Sequence, residues 1–394
     1  MEFGNTVSIR LRLIHSHLTK KEEGSVMAKE VLTRTAYVKA AKLFVPKEGP
    51  ATARAEQRAH ATGKLNPLVD PAGYGVIRRS LLRMEKRKED NLWELAVGTS
   101  MPIESRVDTT GSMGGSVDIA LRVLPNAFEL FGDILPGYDL HIATGIFGDV
   151  QDKFVLCRPQ FEMVADKIVE QLTLMVPEKN GGDEEEDPHY GLFGAAYLTA
   201  AYINRIGLKR YDFTISDAPA RHRFDERQLR RIFGEEVFEK VIENGHKIKA
   251  NNLPDTREAT QDLLKFAHAF FLQVGEERHV TQFWVEIFGR DRVVLLPSTE
   301  LLPQVQATII GLTEGTLDLK TVPEFLRKAN TERKVAEEIT RSVANIPIGA
   351  QAALANFSKR PMKGDLFEEK TDLWPVDVAK PKKSKKKKGG PGWL

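Results

Sequence analysis

The fold is decided by a short strand and the loop that follows it, which read Ile103-Glu104-Ser105-Arg106-Val107-Asp108-Thr109-Thr110-Gly111-Ser112-Met113-Gly114. From about residue 100 to 315, short apolar runs alternate with amphipathic stretches that have helical spacing. Such alternation is typical of a parallel sheet that is covered by helices on both faces. We therefore predict an α/β domain over residues 99–316, with a doubly wound, mostly parallel, Rossmann-like sheet.

The apolar and amphipathic runs can be assigned in order along the chain. Strands are predicted at residues 103–108, 141–147, 154–156, 211–216, 269–274 and 292–296. The strand at 154–156 is expected to pair antiparallel at an edge. Helices are predicted at residues 115–131, 163–175, 190–206, 226–244, 257–268 and 280–288, with a last helix from residue 301.

The first strand has an unusual composition for the centre of a sheet. Glu104, Ser105 and Arg106 occupy positions that are apolar in most central strands. Either this strand is more exposed than usual, or a segment from the preceding part of the chain pairs with its polar groups. The sequence leaves both alternatives open.

Four further segments flank the predicted α/β domain. Residues 1–27 are expected to be a disordered arm or the result of a misassigned start, because Met27 is a plausible first residue. Residues 28–98 are predicted to form a helical lead-in, and residues 317–358 a C-terminal helical segment. Residues 359–394 are rich in Lys, Pro and Gly, which predicts a disordered tail. Within the lead-in, helices are predicted at residues 31–43 and 78–88.

Composition limits the classes of protein to which the chain can belong. It has 394 residues and 41% hydrophobic content, as expected for a soluble globular protein. Cys157 has no second cysteine with which to form a disulfide, which predicts a cytoplasmic location. The apolar runs are shorter than the roughly 18 residues that span a bilayer, and arginines interrupt the N-terminal apolar stretch. We therefore expect neither a membrane span nor a secretion signal.

The positive charge of the chain is concentrated near its C-terminus. Seven lysines lie within residues 380–388, and without them the formal net charge of +2 becomes −5. Specific nucleic-acid binding by the folded part is therefore not expected. The tail is either a weak electrostatic tether or a solubilising end.

Three polar segments are predicted to meet beyond the carboxyl ends of the strands, where a doubly wound sheet binds its ligands. They are residues 108–112, residues 181–187 and Asp217. Asp108, Thr110 and Ser112 alternate along the first loop, so their oxygens can point to one place. Carboxylate and hydroxyl oxygens are ligands that suit Mg²⁺. The alternative is that this loop only caps the helix that follows it.

The first loop resembles a known motif in the residues Asp108-Thr109-Thr110-Gly111-Ser112-Met113-Gly114. They are similar to the Asp-x-Thr/Ser-Gly-Ser-Met-Gly motif that begins the metal-ion-dependent adhesion site in the von Willebrand factor A (vWA) domain family. Residues 211–219 are similar to the later family strand, which ends in a metal-facing Asp. The resemblance covers about residues 100–315. It implies that Asp108 and Asp217 hold a divalent cation directly or through water, and that Thr110 and Ser112 contribute hydroxyls.

The middle loop departs from the family pattern. The family commonly has a Thr there, whereas this chain reads Gly181-Gly182-Asp183-Glu184-Glu185-Glu186-Asp187. By the resemblance, the third contribution to the metal would therefore be a carboxylate, from Asp183 or Asp187. The alternative is a solvated run of surface charge with no ligand in it. The predicted cation is Mg²⁺, with Mn²⁺ or Ca²⁺ as alternatives.

The function that the resemblance implies is a Mg²⁺-dependent protein-binding module and not an enzyme. Its cation would accept a carboxylate from a protein partner, and family analogy suggests that this partner works with an AAA-type ATPase or a kinase. A metal-dependent hydrolase of phosphoesters or nucleotides is one alternative, although the chain has neither a Gly-x-x-x-x-Gly-Lys loop nor a dinucleotide-binding fingerprint. A scaffold in which the loop is only a helix cap is the other.

Overall fold

The computed structural model describes residues 34–44, 50–73, 75–80, 84–86, 93–95, 99–113, 116–136, 138–178 and 185–354. These residues belong to one unit of the chain, Val31–Leu394. The predicted N-terminal arm and Lys-rich tail lie outside the described residues, and so does Asp183.

A six-stranded sheet forms the centre of the fold. The described strands are β1 (Arg78–Ser80), β2 (Met84–Lys86), β3 (Trp93–Leu95), β4 (Thr99–Asp108), β5 (Tyr138–Phe147), β6 (Leu156–Cys157), β7 (Thr199–Ala201), β8 (Arg210–Ser216), β9 (Ala267–Val274) and β10 (Val293–Leu296). The spatial order in the large sheet is β10-β9-β8-β4-β5-β6. All neighbours in it are parallel except β6, which pairs antiparallel with β5 at the edge. The prediction of a mostly parallel α/β sheet with an antiparallel edge strand is confirmed.

Helices lie on both sides of this sheet. They are α1 (Arg34–Phe44), α2 (Ala53–Thr62), α3 (Ser116–Val123), α4 (Ala127–Ile134), α5 (Ala165–Thr173), α6 (Pro188–Tyr197), α7 (Glu226–Phe233), α8 (Val237–Glu243), α9 (Thr256–Phe266), α10 (Arg278–Phe288), α11 (Leu302–Glu314), α12 (Val322–Lys328), α13 (Arg333–Ser342) and α14 (Ala350–Leu354). Successive strand residues point to opposite faces. Phe270 therefore packs in one apolar cluster with α4 and α11, and Phe271 in a second with α6 and α10. Among the described residues, no helix is both long and apolar enough to cross a membrane.

The helix predicted at 190–206 is correct only in its first part, and the helix predicted at 78–88 is wrong, because residues in both segments pair as strands. The helix predicted at 190–206 ends at Tyr197, and β7 follows it. The helix predicted at 78–88 is replaced by β1 and β2. β1 and β7 pair in parallel with each other, and β2 pairs antiparallel with β3. In both regions long-range strand pairing overrides the local helical spacing.

Two other predicted helices are each broken into two. The helix predicted at 115–131 is interrupted by a 3-10 turn at Leu124–Asn126, because Pro125 lacks the N–H that an α-helix needs there. The helix predicted at 226–244 is interrupted at Gly234, whose φ of +89° is one that glycine adopts readily. These breaks let the shorter helices follow the curvature of the sheet.

The polar residues of β4 are buried, so the alternative of a more exposed strand is wrong. Arg78 of the lead-in interacts electrostatically with Glu104, which agrees in part with the second alternative. Arg106 is fully buried and donates to Asp212 of the neighbouring strand β8, with one bond of 3.0 Å. Glu104 accepts from Arg158 at 3.1 Å. Burial alone would raise the pKa of Glu104, but Arg158 and Arg106 lower it to about 2. A buried ion-pair layer therefore takes the place of apolar side chains at the centre of the sheet.

Candidate functional site

The order of the strands places the candidate site at the point where the sheet changes direction. From β4 the chain extends the sheet through β5 and β6 on one side, and later through β8, β9 and β10 on the other. The loops that leave β4 and β8 diverge at this point and form a crevice beyond the carboxyl ends of the strands. Asp108 ends β4, and Asp217 directly follows β8. The structure thus brings together the two loops that the sequence singled out.

A continuous network of hydrogen bonds joins these two loops. Ser216 Oγ donates to Asp108 Oδ2 at 2.5 Å, and Thr110 donates to Asp108 Oδ1 through both its Oγ1 (2.7 Å) and its backbone N–H (2.9 Å). Thr110 Oγ1 lies 3.1 Å from Ser112 Oγ. Ser112 Oγ in turn donates to Asp217 Oδ1 at 3.1 Å. Asp108, Thr110, Ser112 and Asp217, which we call the oxygen cluster, therefore form one group of oxygen atoms.

The oxygen cluster has a buried floor and an exposed rim. Asp108 and Thr110 are buried, whereas Ser112 is exposed and Asp217 is half-buried. Burial raises the pKa of Asp108 to about 6, although hydrogen bonds from Ser216 and Thr110 act in the opposite direction. Burial also raises the pKa of Asp217. Loss of hydration thus makes both carboxylates less stable as anions, and a cation bound between them would offset that cost.

Glu186 is the middle-loop residue that lies next to the oxygen cluster, and sequence reasoning did not select it. Its backbone forms a parallel bridge with Ala220, just beyond Asp217. Burial and the charge of Asp108 raise the pKa of Glu186 to about 9, and a hydrogen bond from Thr110 only partly offsets this. The local sequence offers no signal for it, because Glu184, Glu185 and Glu186 are identical side chains.

Asp187, one of the two predicted middle-loop ligands, makes different contacts. Its Oδ2 lies 2.6 Å from Arg221 Nη1 and accepts the Val150 N–H at 2.6 Å. Arg221 also lies 3.1 Å from the carboxylate of Asp149. Burial raises the pKa of Asp187 to about 6, with Arg221 acting against it. The structure therefore gives Asp187 contacts with Arg221 and Val150 and none with Thr110 or Ser112.

The donor atoms at this site suit a hard divalent cation. The oxygen cluster and Glu186 offer carboxylate and hydroxyl oxygens, which Mg²⁺ and Ca²⁺ prefer. Within the described ranges, no Lys, Arg or His forms an ion pair with Asp108, Glu186 or Asp217. Within the same ranges, no three His, Cys, Asp or Glu side chains are arranged to hold a metal ion by themselves. A cation here would therefore depend on the hydroxyls of Thr110 and Ser112 as well as on carboxylates.

Comparisons with known proteins give only distant similarity. No protein-family description and no curated protein matches the chain. Among solved structures, proximal thread matrix protein 1 from the mussel byssus is 14% identical, with a TM-score of 0.36 over 56% of this chain and 47% of that one. The pilus adhesin SpaC from Lactobacillus rhamnosus GG is 13% identical, with a TM-score of 0.34 over 60% of this chain and 34% of that one. The chain thus spans less than half the length of either protein, and similarity at this level carries no argument about its function.

Proposed function

We propose that this protein is a protein-binding module of vWA type, whose binding depends on a divalent cation held at the oxygen cluster. The cation would be Mg²⁺, with Mn²⁺ or Ca²⁺ as alternatives, and the partner would be a protein that offers a carboxylate to it. Asp108 and Asp217 would hold the cation directly or through water, and Thr110 and Ser112 would contribute hydroxyl oxygens. Family analogy adds an AAA-type ATPase or a kinase as the system in which the partner works.

The observation that carries this proposal is the hydrogen-bonded oxygen cluster at the change of direction of the sheet. Its buried floor would bind the cation on one side, and its exposed rim at Ser112 would leave the other side open to a partner. An Mg²⁺ ion prefers six oxygen ligands and keeps water where the protein supplies fewer. Those waters are the ligands that a partner's carboxylate would replace.

The helix-cap alternative explains only part of the cluster. A cap accounts for the bond from the Thr110 N–H to Asp108, which is local in sequence. It does not account for the bonds from Ser216 to Asp108 and from Ser112 to Asp217, which join two loops more than 100 residues apart. A cation site requires such convergence of separate loops, whereas a helix cap does not.

Calorimetric titration of the full chain with Mn²⁺ tests whether the protein binds a divalent cation. Capture of the protein on an immobilised acidic peptide, compared in Mg²⁺ and in chelator, tests whether a partner's carboxylate binds through that cation. We expect Mn²⁺ binding in wild type and its loss in Asp108→Asn. Glu337→Gln, which removes one half of an exposed ion pair with Arg333, is the matched control and should bind as wild type does.

Three results would overturn the proposed function. Wild type that binds no Mn²⁺ would leave the loop as a helix cap. Turnover of p-nitrophenyl phosphate that requires Mg²⁺ and is lost in Asp108→Asn would favour the hydrolase alternative. Peptide capture that is equal in Mg²⁺ and in chelator would show that binding does not pass through a cation.

A further inference from the structure

We propose that Glu186, and not Asp187, supplies the middle-loop carboxylate that holds the cation at the oxygen cluster. This inference rests on the proposed function, because it assigns a residue to that same site. The inference also goes beyond the proposed function, since it identifies the side chain that sets how tightly the cation is held without a partner.

The backbone of Glu186 is fixed against the loop that carries Asp217. Its N–H donates to the Pro219 carbonyl at 3.0 Å, and its carbonyl accepts the N–H of Arg221 at 3.3 Å. Together these bonds form a strand-like bridge between residue 186 and Ala220. The side chain therefore starts from a held position, which lowers the conformational cost of binding an ion.

The side chain of Glu186 has an oxygen that is free to act as a ligand. The residue is only 3% exposed, and its Oε2 has no hydrogen-bond partner within the part of the chain that the structure describes. Leaving a buried acceptor without a partner destabilises the folded state, so native proteins rarely keep one without a reason. A cation between Glu186 and Thr110 would satisfy this oxygen. The unpaired oxygen is an observation separate from the negative charge of the loop.

Asp187 also has an oxygen, Oδ1, without a hydrogen-bond partner among the described residues, but the bridge at residue 186 turns its side chain away from the oxygen cluster. Adjacent residues of an extended segment point to opposite sides. Glu186 points to Thr110, while Asp187 points to Arg221 and Val150, each at 2.6 Å. Moving Asp187 to the cation would break its 2.6 Å contact with Arg221. Its present contacts thus hold the loop in the position that presents Glu186.

A third carboxylate changes the charge balance at the site. When all three are ionised, Asp108, Asp217 and Glu186 together carry one more negative charge than a divalent cation neutralises. The cation should therefore bind to the resting protein without help from a partner. Its residual attraction for a partner's carboxylate should be weaker than at a site with a neutral Thr at this position.

The test is Mn²⁺ affinity of the full chain, measured by calorimetry at fixed pH for wild type, Glu186→Gln and Glu185→Gln. Glu185 is the matched control, since it is an exposed Glu one residue away. Loss of a group that supports a metal ligand weakens affinity by roughly 10- to 100-fold, so loss of a ligand itself should cost at least as much. We expect that loss for Glu186→Gln and none for Glu185→Gln. Thermal melting in chelator checks that both variants fold.

The outcomes separate this inference from the proposed function. If Glu186→Gln binds Mn²⁺ as wild type does while Asp108→Asn does not, the inference fails and the cation site stands. If Glu186→Gln and Glu185→Gln weaken binding equally, the loop acts only through its overall charge, and the inference also fails. If wild type binds no Mn²⁺, the proposed function fails. Should Glu186→Gln not fold, Glu186→Ala, which leaves no ligand oxygen at this position, takes its place with the same expected loss.

Discussion

Asp108→Asn should make the metal-free protein more stable, although it removes the central residue of the proposed site. In the folded chain, burial raises the pKa of Asp108 from 3.8 to about 6. At 1.36 kcal/mol per pKa unit, the buried carboxylate therefore destabilises the fold by about 3 kcal/mol above pH 6. Asn carries no charge and avoids this cost. It accepts from Thr110 as Asp does, but it cannot accept from Ser216, so about 1 kcal/mol of the gain is lost.

The sign of this effect depends on pH and on the cation. Because the folded pKa is raised, wild type loses stability as pH rises from about 4 to about 6, and Asp108→Asn does not. The variant should thus be more stable by about 2 kcal/mol at pH 8 in chelator, and less stable by about 1 kcal/mol below pH 4, where only the lost hydrogen bond remains. At an Mg²⁺ concentration 100 times the dissociation constant, binding stabilises wild type by about 2.7 kcal/mol. The order of stabilities should then become equal or reverse.

Urea unfolding followed by tryptophan fluorescence measures both effects, with Glu337→Gln as the control that should follow wild type throughout. If Asp108→Asn is less stable than wild type in chelator at pH 8, then the hydrogen bonds of Asp108 outweigh the cost of burying its charge. That result would refute the reasoning and would support the helix-cap alternative, in which the carboxylate is present for stability.

Two further predictions concern buried charges outside the site. Asp212→Asn should destabilise the fold by about 3–5 kcal/mol, because it leaves the fully buried Arg106 with Glu104 as its anionic partner. Urea unfolding measures this loss of stability. A loss no larger than that of Glu337→Gln would contradict the prediction. Burial raises the pKa of Glu314 to about 7 despite its hydrogen bond from Tyr211, so wild type should lose about 3 kcal/mol as pH rises from about 4.5 to 7. Glu314→Gln should lose less over that range, and equal slopes of stability against pH would contradict this expectation.

The sequence predicted the site where its geometry follows from local pattern. Asp108 ends β4 and Asp217 directly follows β8, and parallel strands bring their carboxyl ends to the same edge of a sheet. Their proximity therefore follows from fold class alone. Thr110 and Ser112 follow from the alternation of a single loop.

The middle loop could not be predicted in the same way. Nothing local distinguishes three consecutive glutamates or tells which of them faces Thr110. The bridge to Ala220 makes that choice, because a one-residue shift in register turns each side chain to the opposite side. The pairing of β7 with β1 likewise ended a segment whose spacing was helical.

What the sequence by itself determined is the alternation of strands and helices, and with it a mostly parallel α/β sheet with polar loops at one edge. These features depend on side-chain periodicity, which is local. Only the tertiary structure decided that Arg106 pairs with Asp212 inside the sheet, that Asp187 belongs to Arg221, and that Glu186 lies at the oxygen cluster. Groups that are distant in sequence but within a few ångströms in space decide whether a charged residue is exposed, forms an ion pair or can bind a ligand. The reason is that only such neighbours offset the cost of burying its charge.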